Sequence, residues 1–198
     1  MIRYDEALAR RVQALGDTWE MVEQRRRVLE LLAPAPGEGI LDGGCGPGHL
    51  TREIAALIGP AGRACGVDVS EQMLVLATGE DVEFTLSSGA ALPYESSCFD
   101  AAVATQVYEF VEDLEAALGE LHRVLRAGGR ALILDTDWDT VVWHSGDEAR
   151  IQRVLDGWRR RLADPHLPRT LAVSLDTAGL EVTARAVHVI LDATGEAC

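Results

Sequence analysis

Apolar positions recur at helical spacing in two opening stretches, residues 5–15 and 19–33, the second carrying Val22, Leu29 and Leu32 on one stripe before Pro34 and Pro36 stop it. From Gly39 the pattern changes. Short apolar runs that read as buried strands, at 40–41, 64–69, 82–86, 99–105 and 130–134, alternate with helical stretches at 50–58, 71–77 and 114–126. Such alternation predicts an α/β fold, a doubly wound and mostly parallel sheet covered on both faces, with the first two helices as an N-terminal helical cap. Turn residues mark the joints at Gly59 and Pro60, at Gly62, at Gly79, and at Ala127, Gly128 and Gly129. Farther on, the pattern predicts a helix at 149–162, a proline-bounded turn at 165–168, a short helix to 178 and one strand over 180–191. No linker-like composition interrupts this order, so one domain is expected over 1–198, with the cap in 1–36 and the sheet core in 37–198.

Composition narrows the function classes. A chain of 198 residues with 47% hydrophobic content can fill one core without covalent staples. Cys45, Cys65, Cys98 and Cys198 lack the short paired spacings of zinc or redox motifs, so neither a metal cluster nor a disulfide framework is expected. Charges throughout residues 1–17, and the lack of any apolar run long enough to cross a bilayer, predict a cytoplasmic chain with no membrane partner. With 32 acidic against 18 basic residues, the field repels phosphate backbones. The two arginine triplets, 25–27 and 159–161, lie in amphipathic helical stretches with acidic neighbours, so nucleic acid is a poor candidate partner.

The sharpest signal is the run from Ile40 to Leu50, a buried strand that ends in the glycine turn Gly43, Gly44, Cys45, Gly46, Pro47, Gly48 and opens a helix. Such a turn lets backbone approach a ligand, and the helix start offers amide donors. Asp68 closes the next strand about 20 residues on, where a doubly wound sheet places a carboxylate against ribose hydroxyls. Turn and acid together predict a nucleoside pocket.

Spacing separates the cofactor classes. Dinucleotide enzymes use G-x-G-x-x-G, whereas Gly44, Gly46 and Gly48 form G-x-G-x-G. With Leu41 and Asp42 before it, this run resembles the first motif of class I S-adenosylmethionine-dependent methyltransferases, in particular the small-molecule group similar to ubiquinone and menaquinone C-methylases. Residues 66–74, from Gly66 through Asp68 to Leu74, resemble that family's second motif, and residues 91–94, 98–100 and 121–130 resemble its later signatures in order. The resemblance implies a Rossmann-like fold, S-adenosyl-L-methionine as cofactor and a small-molecule methyl acceptor as partner. It implies that Gly44, Gly46 and Gly48 line the methionine part, with Cys45 inside the loop and Asp42 ordering it. Asp68 would take both ribose hydroxyls, and Val69 and Met73 would pack against adenine. Ser88, followed by Gly89 and Ala90, stands where many relatives place an aspartate for the adenine amino group. Thr105 and Gln106 would face the methionine chain, and Gln24 and Arg25 would approach its carboxylate.

Methyl transfer from a sulfonium is an in-line displacement with a neutral leaving group, so alignment supplies most of the catalysis and a base is needed only for a protonated acceptor. Asp135, Asp137 and His144 follow the fifth strand, where such a base would sit, and are the candidate catalytic residues; capping of a turn by the same carboxylates stays open. Tyr108 and Glu109, after the fourth strand, are the other candidates for such a base, with pocket wall or helix start the favoured reading. Two other functions stay open, a non-catalytic cofactor-binding partner subunit and a nicotinamide-dependent oxidoreductase. The family closes its sheet with a hairpin, whereas only one late strand is evident here, and an uncovered edge predicts self-association into a homodimer.

Overall fold

The computed structural model of the chain describes residues 5–79, 81–143 and 145–190. Asp5 accepts a hydrogen bond from the Leu8 amide (2.8 Å) and caps α1 (Glu6–Gly16). Helix α2 (Trp19–Leu32) ends where Ala33 turns left-handed (φ 50°) ahead of Pro34. Its buried positions are Gln24, Val28 and Leu32, whereas Val22 is 43% exposed and Leu29 only partly buried. The inward stripe is rotated from the expected Val22, Leu29 and Leu32, because contact with the sheet decides which helix face turns inward.

The chain then runs through β1 (Gly39–Gly43), α3 (His49–Ile58), β2 (Arg63–Asp68), α4 (Glu71–Leu76), β3 (Val82–Leu86) and β4 (Phe99–Thr105). A 3₁₀ turn (Tyr108–Phe110) leads to α5 (Leu114–Val124), β5 (Leu125–Leu134), α6 (Glu148–Arg159) and α7 (Leu167–Thr177). The five strands are all parallel, in the order β3-β2-β1-β4-β5. Successive strands step outward from β1 to β3 and then cross to the other side of β1. The resulting reversal between β1 and β4 leaves a crevice at the carboxyl ends of the strands, the place where doubly wound sheets bind ligands.

Strand alternation divides the core in two. Ile40, Ala64, Ala101 and Val103 join Val28, Leu32, Leu50, Ile54 and Ile58 on the face covered by α2 and α3. Leu41, Cys65, Val67, Phe99, Ala102 and Ala104 join Leu118, Leu121, Val124 and Leu167 on the face covered by α5 and α7. Both residues of each adjacent pair are therefore buried, which is why these strands read as continuous apolar runs. Arg130 fastens the edge: it donates to the Leu32 and Ala33 carbonyls (2.6 and 2.8 Å) and pairs with Glu38 (2.7 Å), satisfying the open end of α2.

Two expectations are corrected. Helix α5 stops at Val124 and β5 begins at Leu125 instead of 130, with an irregular register between Phe99 and Ala101 that absorbs the glycine pair 128–129. The strand expected over 180–191 is absent from 180–190, and Leu191 lies outside the described residues. The apolar alternation there is genuine, but a strand exists only when a neighbouring strand takes its N–H and C=O groups, and 180–190 have no such ladder among the described residues. No helix of the described residues is long and apolar enough to cross a membrane.

Candidate active site

Strand β1 delivers the chain into a turn with three left-handed glycines, Gly44 (φ 70°), Gly46 (φ 53°) and Gly48 (φ 79°), before α3 starts. Val67 holds the turn's first half, its carbonyl accepting from the Gly44 and Cys45 amides (2.8 and 2.9 Å). Asp68 holds the second: Oδ2 accepts from the Gly46 amide (2.9 Å) and Oδ1 from the Ser70 amide (2.8 Å). A carboxylate offers about four acceptor positions, so each oxygen retains capacity for a ligand hydroxyl. Burial raises the Asp68 carboxyl above its ordinary value, and the Ser70 and Gly46 amides oppose that rise by favouring the charged form.

Beneath the turn Asp42 is fully buried and accepts from the Thr51 hydroxyl (2.7 Å), joining β1 to α3. Desolvation pushes its carboxyl up to about 7, with Thr51 opposing and the Asp68 charge adding. Between pH ~4 and ~7 the folded state therefore keeps a proton that the unfolded chain has released, and stability from this group falls as pH rises through that window. Asp42→Asn keeps an acceptor for Thr51 and cannot ionise. Urea unfolding at pH ~5 and ~7 is expected to show a pH dependence flatter by on the order of 2 kcal/mol in the variant; equal slopes would contradict the assignment. The Cys45 thiol is raised by burial and by the Asp42 and Asp68 charges, which removes it as a nucleophile.

The sequence-predicted residues occupy different depths. Val69, beside Asp68, is 49% exposed and offers an apolar surface, whereas Met73 is 2% exposed and lies in the protein interior. Ser88 is exposed, its hydroxyl accepting from the Ala90 amide (3.2 Å), with Gly89 between them. Thr105 closes β4, and Gln106 follows in a left-handed conformation (φ 59°), unusual for a residue with a side chain. The Gln106 amide donates to the Leu134 carbonyl (2.7 Å) and its Oε1 accepts from the Thr136 hydroxyl (2.8 Å), tying the tips of β4 and β5 together. Gln24 is buried on α2, and Arg25 donates to Glu53 (2.8 Å) and the Gly16 carbonyl (2.6 Å), joining α2 to α3 and α1.

On the β5 side, Asp135 is half-buried, its Oδ1 accepting from the Val107 amide (2.8 Å) while its buried Oδ2 has no hydrogen-bond partner among the described residues. Desolvation pushes its carboxyl up to about 6 against the favourable Val107 and Glu109 amides. Asp137 differs: both its oxygens accept from Arg169 (2.8 and 3.0 Å), and that guanidinium holds it below the usual carboxylate range. Arg169 also reaches Asp139 (2.9 Å), so a positive charge already lies among Asp137, Asp139 and His166. His144 lies outside the described residues. Glu109, read from sequence as pocket wall or helix start, lies in the 3₁₀ turn Tyr108–Phe110, where it is buried and hydrogen bonded to the segment after β5.

Two features fit the cofactor that the resemblance implies. A Cβ on Gly46 would meet nothing within 4 Å, so open space lies against the turn, and Asp68 stands at its edge with acceptor capacity to spare.

Comparison with known proteins agrees with this geometry. Residues 41–133 match the family model described as a methyltransferase domain. The chain is 38% identical over 119 residues to a 37.1 kDa transposon protein of Streptomyces fradiae, covering 58% of this chain and 34% of that one. It is 31% identical over 124 residues to the demethylmenaquinone methyltransferase of Lactococcus lactis, covering 59% and 49% respectively. The chain thus spans a third to a half of the length of these relatives. A crystal structure of an S-adenosylmethionine-dependent methyltransferase from Aquifex aeolicus superposes with a TM-score of 0.69 at 18% identity over 89% of each chain, which shows the common fold.

Proposed function

We propose that the chain, whose residues 41–133 match the model of the methyltransferase-domain family, transfers the methyl group of S-adenosylmethionine to a small-molecule acceptor. The observation that carries this reading is the Asp68 carboxylate held against the glycine turn at the mouth of the crevice. Asp68 takes the ribose hydroxyls, the turn from Gly44 to Gly48 lines the methionine part, and the half-exposed Val69 packs on adenine. Ser88, Gly89 and Ala90 border the same end. When bound, the cofactor supplies a methyl group on a sulfonium as electrophile.

The chain's own residues align the acceptor, exclude water and receive its proton where it has one. Asp135 suits the last role, since its Oδ2 is buried and unpartnered among the described residues and its carboxyl titrates at about 6. Asp137, engaged by Arg169, has little basicity left. Trp138 stacks on Trp158 (centroids 5.9 Å apart, planes at 18°), a flat apolar wall that supports an aromatic or apolar acceptor. The Lactococcus relative's name, demethylmenaquinone methyltransferase, is consistent with that class.

Calorimetric titration with S-adenosylhomocysteine and with NADH, followed by an acceptor panel under labelled S-adenosylmethionine, tests the reading. Binding of the first alone, with label transfer, is the expected result. Binding of NADH alone would establish the oxidoreductase instead, and cofactor binding without transfer across the panel would establish a non-catalytic subunit.

A further inference from the structure

Glu109 is 1% exposed, yet it holds three parts of the chain together. Its Oε2 accepts from the Thr136 amide and from the Trp138 indole, both at 3.1 Å. Its own amide donates to Asp135 Oδ1 (3.4 Å), and its carbonyl accepts from the Ala163 and Asp164 amides (2.8 and 3.2 Å). The turn after β4, the segment after β5 and the turn between α6 and α7 thus meet at one buried residue, the segment after β5 through its carboxylate and the α6–α7 turn through its main-chain carbonyl. Trp138, held by that acid, carries the stack onto Trp158 of α6.

We propose that Glu109 is the positioning residue of the acceptor side: its ionised carboxylate fixes the Trp138 indole and the segment after β5 over the tips of β4 and β5, and protonation releases that hold. The inference rests on the proposed function only for the statement that the acceptor enters there. A carboxylate accepts strongly from an indole N–H and an amide at once, whereas the protonated acid presents a weaker acceptor and a donor of its own. Burial first, and the Asp135 charge second, push the Glu109 carboxyl up to about 7, while the bonds from Trp138 and Thr136 oppose that rise. The charged group acting on it is Asp135 beyond β5; Tyr108 precedes it in the chain, and Asp164 in the α6–α7 turn meets its main-chain carbonyl. Arg159 on α6 donates to the Trp138 carbonyl (3.0 Å) and pairs with Asp139 and Asp156. Beyond these lie Asp137, His166 and Arg169. Burial pushes the Asp135 carboxyl up to about 6, so its negative charge is present as Glu109 gives up its proton and holds that proton to higher pH.

Tryptophan fluorescence of the full chain, followed from pH ~5 to ~8.5, tests this without cofactor or acceptor, so its failure and the failure of the methyl-transfer reading are separate results. The wild type is expected to show a transition near neutrality that is lost in Trp138→Phe, which identifies the reporter, and lost in the near-isosteric Glu109→Gln. His166→Asn should keep it, and Asp135→Asn should shift it to lower pH by removing the neighbouring charge. A transition that persists in folded Glu109→Gln, or one that disappears in His166→Asn, overturns the proposal. Should Glu109→Gln fail to fold, the wild type and Trp138→Phe decide: absence of the transition in the first, or its survival in the second, is equally fatal.

Discussion

Asp68→Ala is expected to weaken S-adenosylhomocysteine binding by about 10- to 100-fold, read by calorimetry at neutral pH. A hydrogen bond to a charged group contributes about 1.5–3 kcal/mol, and about 1.4 kcal/mol is a factor of ten in affinity. The substitution removes the acceptor for the ribose hydroxyls and also the two bonds that hold the Gly46 and Ser70 amides, so the turn loosens along with the loss of direct contact. Asp68→Asn, which keeps one neutral acceptor, should fall between the wild type and alanine. Unchanged affinity in the alanine variant would mean that the nucleoside does not lie across the tips of β1 and β2.

Gly44→Ala should lower unfolding stability by about 2–5 kcal/mol, the sum of a left-handed backbone cost of about 1–2 kcal/mol and an overpacking cost of about 1–3 kcal/mol. Its Cβ would stand 2.3 Å from Val107 Cγ2, 2.9 Å from Cγ1 and 3.2 Å from Cβ, and a β-branched side chain, stiff at χ1, gives way only at a cost. Adding Val107→Ala should recover the overlap and leave the backbone cost, a split visible in urea unfolding of the single and double variants. Gly46→Ala is the contrast, since its Cβ meets open space and costs backbone strain alone, while projecting where the cofactor would rest. It should therefore lose affinity far out of proportion to its loss of stability. Equal destabilisation by the two alanines would show that the turn's packing, as opposed to its dihedrals, plays no part.

What the sequence determined by itself is the local alphabet of this fold. Apolar runs at 82–86 and 99–105 coincide with β3 and β4: β4, covered on both faces, shows its nature in consecutive residues, whereas the edge strand β3 shows it in the alternation of Val82, Phe84 and Leu86 with polar neighbours. The glycine turn and Asp68 were legible for a similar reason: left-handed backbone leaves glycine at fixed spacing, and a strand's end places its last side chain at the sheet's rim. Tertiary structure alone decided the rest. Asp135 and Asp137 are equivalent letters two residues apart, yet one is desolvated with an oxygen unmatched among the described residues and the other is neutralised by Arg169, 32 residues farther along the chain. Glu109 read as pocket wall or helix start because nothing local shows that Thr136 and Trp138 will close on it, and residues 180–190 read as a strand because alternation records the face a segment can bury but not whether a neighbour exists to pair with it. Periodicity is written by neighbours in sequence, whereas charge pairing, desolvation and strand pairing depend on which distant groups the folded chain brings within hydrogen-bonding reach.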